Sequence, residues 1–140
     1  MIVYFVRHAR AGRRDDWKGD DRLRPLDERG RRQAEALVDQ LAGRDFGRIV
    51  SSPAARCVQT VEPLAAARGL PLEEDEALAE GAGADAALEL FRRSAEPLVA
   101  CVHGDLVEAL LGEKRKKGST TVLDVTDAGL DVLERLDPQA

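Results

Sequence analysis

The sequence predicts an α/β fold built on a mostly parallel sheet. Three short apolar runs, at 2–6, 46–50 and 97–103, are each followed by a segment with helical periodicity. Alternation of strand and helix is typical of parallel sheets covered by helices, and unbroken apolar runs are typical of strands buried on both faces. The segments 119–125 and 130–136 alternate in polarity on either side of the turn TDAG. This pattern predicts a C-terminal antiparallel hairpin, and the length of 140 residues fits a single domain over 1–140.

Start and stop signals delimit the helices of this fold. Asp27 is a candidate N-cap for the first helix and Gly43 a stop signal. Ser52 followed by Pro53 matches an N-cap with proline at the first helical position. The helices are expected from Asp27 to Gly43, from Pro53 to about Arg68, from Asp85 to Arg93, and from an Asp105 cap to Leu111, with a short strand at 70–72.

Composition excludes several classes of protein. The net charge of −5 disfavours general nucleic-acid binding, and the apolar runs are too short for a membrane span or a signal peptide. Cys57 and Cys101 lack metal-binding or redox spacing, so both are expected to be small buried hydrophobes. The chain is therefore expected to be cytoplasmic.

Positive charge is concentrated near the N-terminus. Ten of the 21 Lys and Arg residues lie between Arg7 and Arg32, interleaved with aspartates. Either this segment is a solvated loop, or a few of its arginines face a small polyanion beside His8. The second basic run, Lys114 to Lys117, is most simply a solvated loop.

His8 lies directly after the first apolar run, between Arg7 and Arg10. Nearby positive charge disfavours protonation of an imidazole. A neutral imidazole is a nucleophile, so His8 is a candidate nucleophilic residue.

Polar residues follow each of the three main strands. Arg7 and His8 follow the first, Ser51 to Arg56 the second, and His103 the third. Ligands of parallel sheets bind at this carboxyl edge. Two guanidinium groups, a helix N-terminus and a second histidine would suit a phosphoryl group.

Two residues near this edge have more than one interpretation. Arg24 either reaches the phosphoryl group from its loop or forms a salt bridge beside the first helix. Trp17 either stacks on a substrate ring or caps an apolar patch.

The motifs VRHA (6–9), RPLDERGRRQA (24–34), SSPAARCVQT (51–60), LAE (78–80) and VHGD (102–105) resemble the histidine phosphatase superfamily, which includes the phosphoglycerate mutases. The resemblance implies a three-layer fold of the phosphoglycerate mutase type. It further implies that His8 is phosphorylated, that Arg7, Arg56 and His103 form the phosphate pocket, and that Glu80 donates a proton. Glu76 and Asp75 lie close enough in sequence to exchange with Glu80 in that role.

Two positions depart from the common pattern of the family. Ala9 replaces the usual glycine and Asp27 a common threonine. The first of these substitutions resembles SixA-type phosphohistidine phosphatases and the histidine-phosphatase domains fused to Nudix hydrolases.

The resemblance implies a phosphohydrolase that needs no metal or cofactor. The short chain leaves no room for long lid insertions, so an open site that accepts a phosphoprotein or a nucleotide-type phosphate is expected. The alternative is a non-catalytic or weakly catalytic module that recognises phosphate.

Overall fold

A six-stranded mixed sheet forms the centre of the computed structural model, which describes Met1–Ala140. The strand order is β3-β2-β4-β1-β5-β6. The strands are β1 (Ile2–Arg7), β2 (Arg48–Ser51), β3 (Leu72–Glu74), β4 (Leu98–Val102), β5 (Thr120–Thr126) and β6 (Gly129–Leu136). The helices are α1 (Glu28–Gln40), α2 (Ala55–Arg68), α3 (Ala84–Arg93) and α4 (Gly104–Leu111). None of these helices is long and apolar enough to cross a membrane.

The strand directions confirm the predicted fold class. Strands β3, β2, β4 and β1 are parallel neighbours, whereas β5 runs antiparallel to β1 and pairs with β6 in the predicted hairpin. The two central strands, β4 and β1, are hydrophobic apart from Arg7 at the end of β1, because they are covered on both faces. Strand β4, for example, is buried at every position.

Each face of the sheet has its own core, which gives three layers. On one face, Tyr4, Val6 and Val99 pack with α1 and α2 side chains such as Leu37 and Val61. The opposite face belongs to α3 and α4, in a cluster that includes Phe5, Val50, Phe91, Val102 and Leu106. Alternate residues of one strand thus enter opposite cores, as the period of a strand requires.

Two predicted helix starts are wrong. Helix α2 begins at Ala55 rather than Pro53, and its N-cap is Ala54, which has no side-chain oxygen. The Ser52 hydroxyl, which was the predicted cap, contacts His103. Helix α4 begins at Gly104, with His103 at the cap. Asp105 is inside its first turn, where its carboxylate accepts from Leu106 N and from Gly81 N.

The other boundaries are close to prediction. Asp27 caps α1 by accepting from Gly30 N at 2.8 Å, as predicted. The short edge strand lies at Leu72–Glu74 instead of 70–72, because Gly69 and Leu70 complete the end of α2 by donating to carbonyls of its last turn.

Candidate active site

The site lies at the carboxyl edge of β1, β2 and β4, which are adjacent in the sheet. Pairing continues just beyond the strand ends: His8 N donates to Val102 O and Ser52 N to Cys101 O, both at 3.0 Å. The residues that follow the strands are therefore held by the sheet. The structure brings the predicted residues Arg7, His8, Arg56 and His103 to this edge, and all but Arg7 are almost completely buried.

The His8 ring is held in one tautomer. Its Nδ1 lies 2.8 Å from the carbonyl oxygen of Ala9, and only a protonated nitrogen can donate to a carbonyl. Nε2 of the neutral ring is therefore unprotonated. The pKa of His8 is lowered from 6.5 to about 3, chiefly by burial and in smaller part by His103, Arg56 and Arg7, against the opposing effect of the bond to Ala9. His8 is thus neutral over the whole physiological range, as predicted, but the main reason is burial; Arg7 contributes least and Arg10 is not among the causes.

His103 lies beside His8, with their ring centroids 5.6 Å apart. Its Nε2 is 2.8 Å from Ser52 Oγ and 3.6 Å from Cys57 Sγ, while Nδ1 is 3.4 Å from Arg56 Nη2. The Ser52 hydroxyl also accepts from Ala54 N. The ring is therefore fixed through Nε2, and Nδ1 is on the side of the arginine.

Asp21 positions the arginines of the site. Its carboxylate contacts Arg24 Nε at 3.0 Å, Arg56 Nη2 at 3.1 Å and Arg14 Nε at 3.3 Å, and its carbonyl oxygen accepts from Arg56 Nη1 at 2.9 Å. Partial burial acts to raise the pKa of Asp21, but the hydrogen bond from Arg24 and the charges of Arg56 and Arg14 outweigh it and the pKa is lowered. One carboxylate therefore gathers three guanidinium groups.

Arg7 is fixed by a different set of contacts. Its Nη1 donates to the carbonyl oxygen of Arg115 at 2.6 Å. A Cβ atom on Gly104 would come within 2.8 Å of Arg7 Nη2, so only glycine at the start of α4 leaves room for this guanidinium. The Nε atoms of Arg7 and Arg56 are both buried without a hydrogen-bond partner.

The three candidate proton donors are separated in space. Glu80 Oε2 lies 3.9 Å from both Arg56 Nη2 and His103 Nδ1, and both Glu80 oxygens accept from Arg14. Glu76 instead forms a two-bond ion pair with Arg22. The Asp75 carboxylate accepts from Ala77 N as the cap of a short 3-10 turn. Of the three, the structure brings only Glu80 to His103 and Arg56.

Arg24 fits both of its sequence interpretations. It forms the salt bridge with Asp21 and also lines the main cavity beside His8. Trp17 donates from Nε1 to Asp20 O and is more than a third exposed. It is not among the residues that line that cavity or the smaller one beside Arg56, which leaves no observed support for substrate stacking.

The main cavity has a volume of about 1170 Å³ and is lined almost entirely by charged and polar side chains. Its wall includes the loop Lys114 to Lys117. Lys117 is exposed, which agrees with the predicted solvated loop, but partial burial and the charges of Arg7, Arg24 and Arg10 lower its pKa. Only the fold could reveal this proximity.

Sequence reasoning missed Asp21, Arg14 and Gly104 as parts of the site. The spacing of Asp21 and Arg24, three residues apart, is the one local signal that indicated a pair. No group of three His, Cys, Asp or Glu side chains is placed to hold a metal ion. Cys57 and Cys101 are free and buried, as predicted.

Comparison with known proteins gives a consistent classification. The model of the histidine phosphatase superfamily (branch 1) matches residues 3–96. An 8-oxo-(d)GTP phosphatase from Mycolicibacterium smegmatis is 39% identical over 155 aligned positions, which include 97% of this chain and 48% of that protein. The chain thus spans about half the length of this relative.

Solved structures agree with the family match. The SixA protein of Agrobacterium tumefaciens has 26% identity and a TM-score of 0.80, with 98% of each chain covered. A protein histidine phosphatase SixA solved with tungstate has 20% identity and a TM-score of 0.82, covering 99% of this chain and 97% of the other; at that identity the likeness concerns the fold. The chain therefore belongs to the histidine phosphatase superfamily, branch 1.

Proposed function

We propose that this chain is a phosphohydrolase that works through a covalent phosphohistidine on His8. The observation that carries the proposal is the state of the His8 ring. The bond from Nδ1 to Ala9 O leaves Nε2 with a free lone pair, in a buried position surrounded by cations. A nucleophile that is unprotonated and held in one orientation is suited to in-line attack on phosphorus.

In the first step, the Nε2 lone pair of His8 forms a bond to phosphorus while the bond from phosphorus to the leaving oxygen breaks. The leaving oxygen takes the electron pair and, where it is basic, a proton from Glu80. In the second step, water attacks the phosphorus, the P–N bond breaks, and orthophosphate leaves with His8 neutral again. No metal is required in this scheme, because arginines neutralise the phosphoryl charge.

The phosphate pocket would consist of Arg7, Arg56 and His103, with Arg24 reaching in from its loop. The unpartnered Nε groups of Arg7 and Arg56 support this assignment, since buried donors are normally satisfied and a phosphoryl oxygen would supply the missing acceptor. Donors that are fixed before the reaction stabilise charge most effectively in phosphoryl transfer. Arg56 has this property, because Asp21 holds it through two bonds.

The proposed substrate is a phosphohistidine protein or a nucleotide-type phosphate. The name of the Mycolicibacterium relative supports the nucleotide class. The volume of the cavity, about 1170 Å³, is compatible with either class of substrate.

The test is chemical trapping of the phosphoenzyme. Wild-type protein quenched during hydrolysis of p-nitrophenyl phosphate should carry phosphate that is acid-labile and alkali-stable, as a P–N bond requires. His8→Ala should lose both the label and more than 99% of the rate. His103→Ala removes the only other histidine and is the matched control. It should slow turnover by roughly 10² to 10³, the loss expected for one fixed donor, and still accept the label.

Two outcomes would contradict this function. Acid-stable phosphate would indicate Ser51 or Ser52 as the acceptor instead of His8. Saturable phosphate binding without any product from p-nitrophenyl phosphate would indicate a recognition module.

A further inference from the structure

The cations of the loop Lys114 to Lys117 do not all have counterions. Lys114 lies 3.8 Å from Glu108, Arg115 lies 3.5 Å from Asp137, and Lys116 lies 4.0 Å from the same aspartate. Lys117 is exposed, lines the main cavity, and forms no ion pair or side-chain hydrogen bond. One member of the loop therefore has a positive charge that no group of the protein neutralises.

The backbone fixes Lys117 beside the proposed nucleophile. Gly118 N donates to the carbonyl oxygens of both Arg7 and His8, at 3.1 and 3.0 Å. Gly118 has φ +83°, a conformation that suits glycine and reverses the chain at this point. Ser119 N closes the turn by donating to Lys116 O at 3.0 Å. Lys117 is thus attached to the end of β1 and is not a freely moving loop residue.

The neighbours of Lys117 are also cations. Arg7, Arg24 and Arg10 each lower the pKa of Lys117, and Asp27 raises it. Asp27 is itself paired with Arg10, at 2.9 Å. Four cations thus converge with one nearby carboxylate, and a bound anion would relieve the repulsion between them.

A single phosphoryl group does not account for these charges. Arg7, Arg56 and His103 already surround His8 and suffice for the group that is transferred under the proposed function. Lys117 and Arg10 line the main cavity, whereas Arg56 and His103 line the smaller one. Only one of the 20 residues that line the main cavity is hydrophobic. Charged and polar side chains therefore dominate recognition there.

We propose that Lys117 and Arg10 form a second anion subsite, which binds the phosphate next to the one that His8 removes. This inference rests on the proposed function and narrows it: the substrate is an oligophosphate, a compound with two or more phosphates joined by anhydride bonds. His8 Nε2 bonds to the terminal phosphorus, the anhydride P–O bond breaks, and the shortened phosphate chain leaves with the electron pair. Water then releases orthophosphate from His8.

The contacts of Glu80 are compatible with an anhydride substrate. Arg14 donates to both of its oxygens, at 3.3 and 3.1 Å. A phosphate leaving group is stable as an anion and needs little help from a general acid. Cleavage of an anhydride would therefore depend less on Glu80 than cleavage of an alkyl phosphate.

The experiment compares kcat/KM for tripolyphosphate and for p-nitrophenyl phosphate in Lys117→Gln and in Lys116→Gln. Both variants remove one positive charge from the same loop, but Lys116 faces Asp137. Lys117→Gln should lower kcat/KM for tripolyphosphate by roughly 10- to 100-fold, the range for one hydrogen bond to a charged group. It should change kcat/KM for p-nitrophenyl phosphate less than about 3-fold. Lys116→Gln should change kcat/KM for both substrates less than about 3-fold.

A binding measurement on the same variants does not depend on turnover. Pyrophosphate should inhibit hydrolysis of p-nitrophenyl phosphate by wild-type protein more strongly than orthophosphate does. Lys117→Gln should lose that preference, and Lys117→Arg should restore it. Unchanged thermal unfolding midpoints would show that both variants are folded.

The outcomes separate this inference from the function on which it rests. If Lys117→Gln slows both substrates equally, or if Lys116→Gln is as selective, the second subsite is wrong. The second subsite is also wrong if pyrophosphate binds no more tightly than orthophosphate to an active wild-type enzyme. Failure of the proposed function would instead appear as full activity in His8→Ala or as a label that is stable in acid.

Discussion

Lowering the pH from 7.5 to 5 should destabilise this fold through His8. In the folded protein the pKa of His8 is about 3, because burial disfavours the imidazolium and His103, Arg56 and Arg7 add positive charge around it. In the unfolded chain the same group titrates near 6.5. Between these two values the unfolded chain binds a proton that the folded protein does not, so acid favours unfolding.

The size of the effect follows from the two pKa values. Each unit of difference corresponds to about 1.4 kcal/mol once the pH lies below both values. At pH 7.5 neither state is protonated and the contribution is close to zero. At pH 5 the unfolded chain is almost fully protonated at His8, and the free energy of unfolding should fall by about 2 kcal/mol. The loss should continue to about 5 kcal/mol and stop growing once the pH is below about 3.

The assay is urea unfolding of wild-type protein and His8→Asn at pH 7.5 and pH 5. The asparagine amide replaces the Nδ1 donor but cannot take up a proton in this range. All other titrating groups are common to both proteins, so the difference between their two pH effects isolates His8. We expect the variant to lose about 2 kcal/mol less than wild type between these pH values. Equal losses would refute the low pKa, and with it the argument that the nucleophile is neutral in the folded protein.

Three further perturbations test the site. Gly104→Ala should push Arg7 aside, because the new Cβ would come within 2.8 Å of its Nη2. We expect kcat to fall roughly 10- to 100-fold while the unfolding midpoint is unchanged. A normal kcat would show that Arg7 adjusts freely. Asp21→Asn removes the charge that holds three arginines, so kcat should fall more than KM rises; a change in KM alone would mean that Asp21 only helps docking. Glu80→Gln should slow alkyl phosphates strongly and p-nitrophenyl phosphate little, because poor leaving groups gain most from a general acid, and equal slowing would indicate a structural role. Glu76→Gln is its matched control, since Glu76 pairs with Arg22 away from His103.

The parts of the fold that were predictable are those with local signals. The apolar run before Arg7 and the alternating C-terminal segments identified β1 and the hairpin, because strand periodicity is visible in the sequence itself. The contact of Ser52 with His103 was not predictable, because it is non-local. Ser52 Oγ accepts from Ala54 N, as a local signal indicates, but it also lies 2.8 Å from His103 Nε2, 51 residues further along the chain.

The positions of Arg7, His8, Arg56 and His103 were predictable because three strand ends and a family resemblance pointed to one sheet edge. The contacts that hold these four side chains in place could not be predicted. Asp21 reaches Arg56 across 35 residues of chain, and Lys117 reaches the same edge only because Gly118 pairs with the end of β1. Contacts of this kind depend on how loops fold back over the sheet, which no local pattern reports.

The same positively charged surroundings would serve both to bind the phosphoryl group and to keep the nucleophile unprotonated. The groups that would bind the phosphoryl group, Arg7, Arg56 and His103, also act to keep His8 unprotonated. A bound phosphate dianion would cancel much of their field and so weaken that action. Burial, however, is the largest cause of the low pKa of His8, and the approach of a substrate only increases burial. We therefore infer that the imidazole remains an unprotonated nucleophile in the substrate complex, where the neighbouring charges alone could not keep it so.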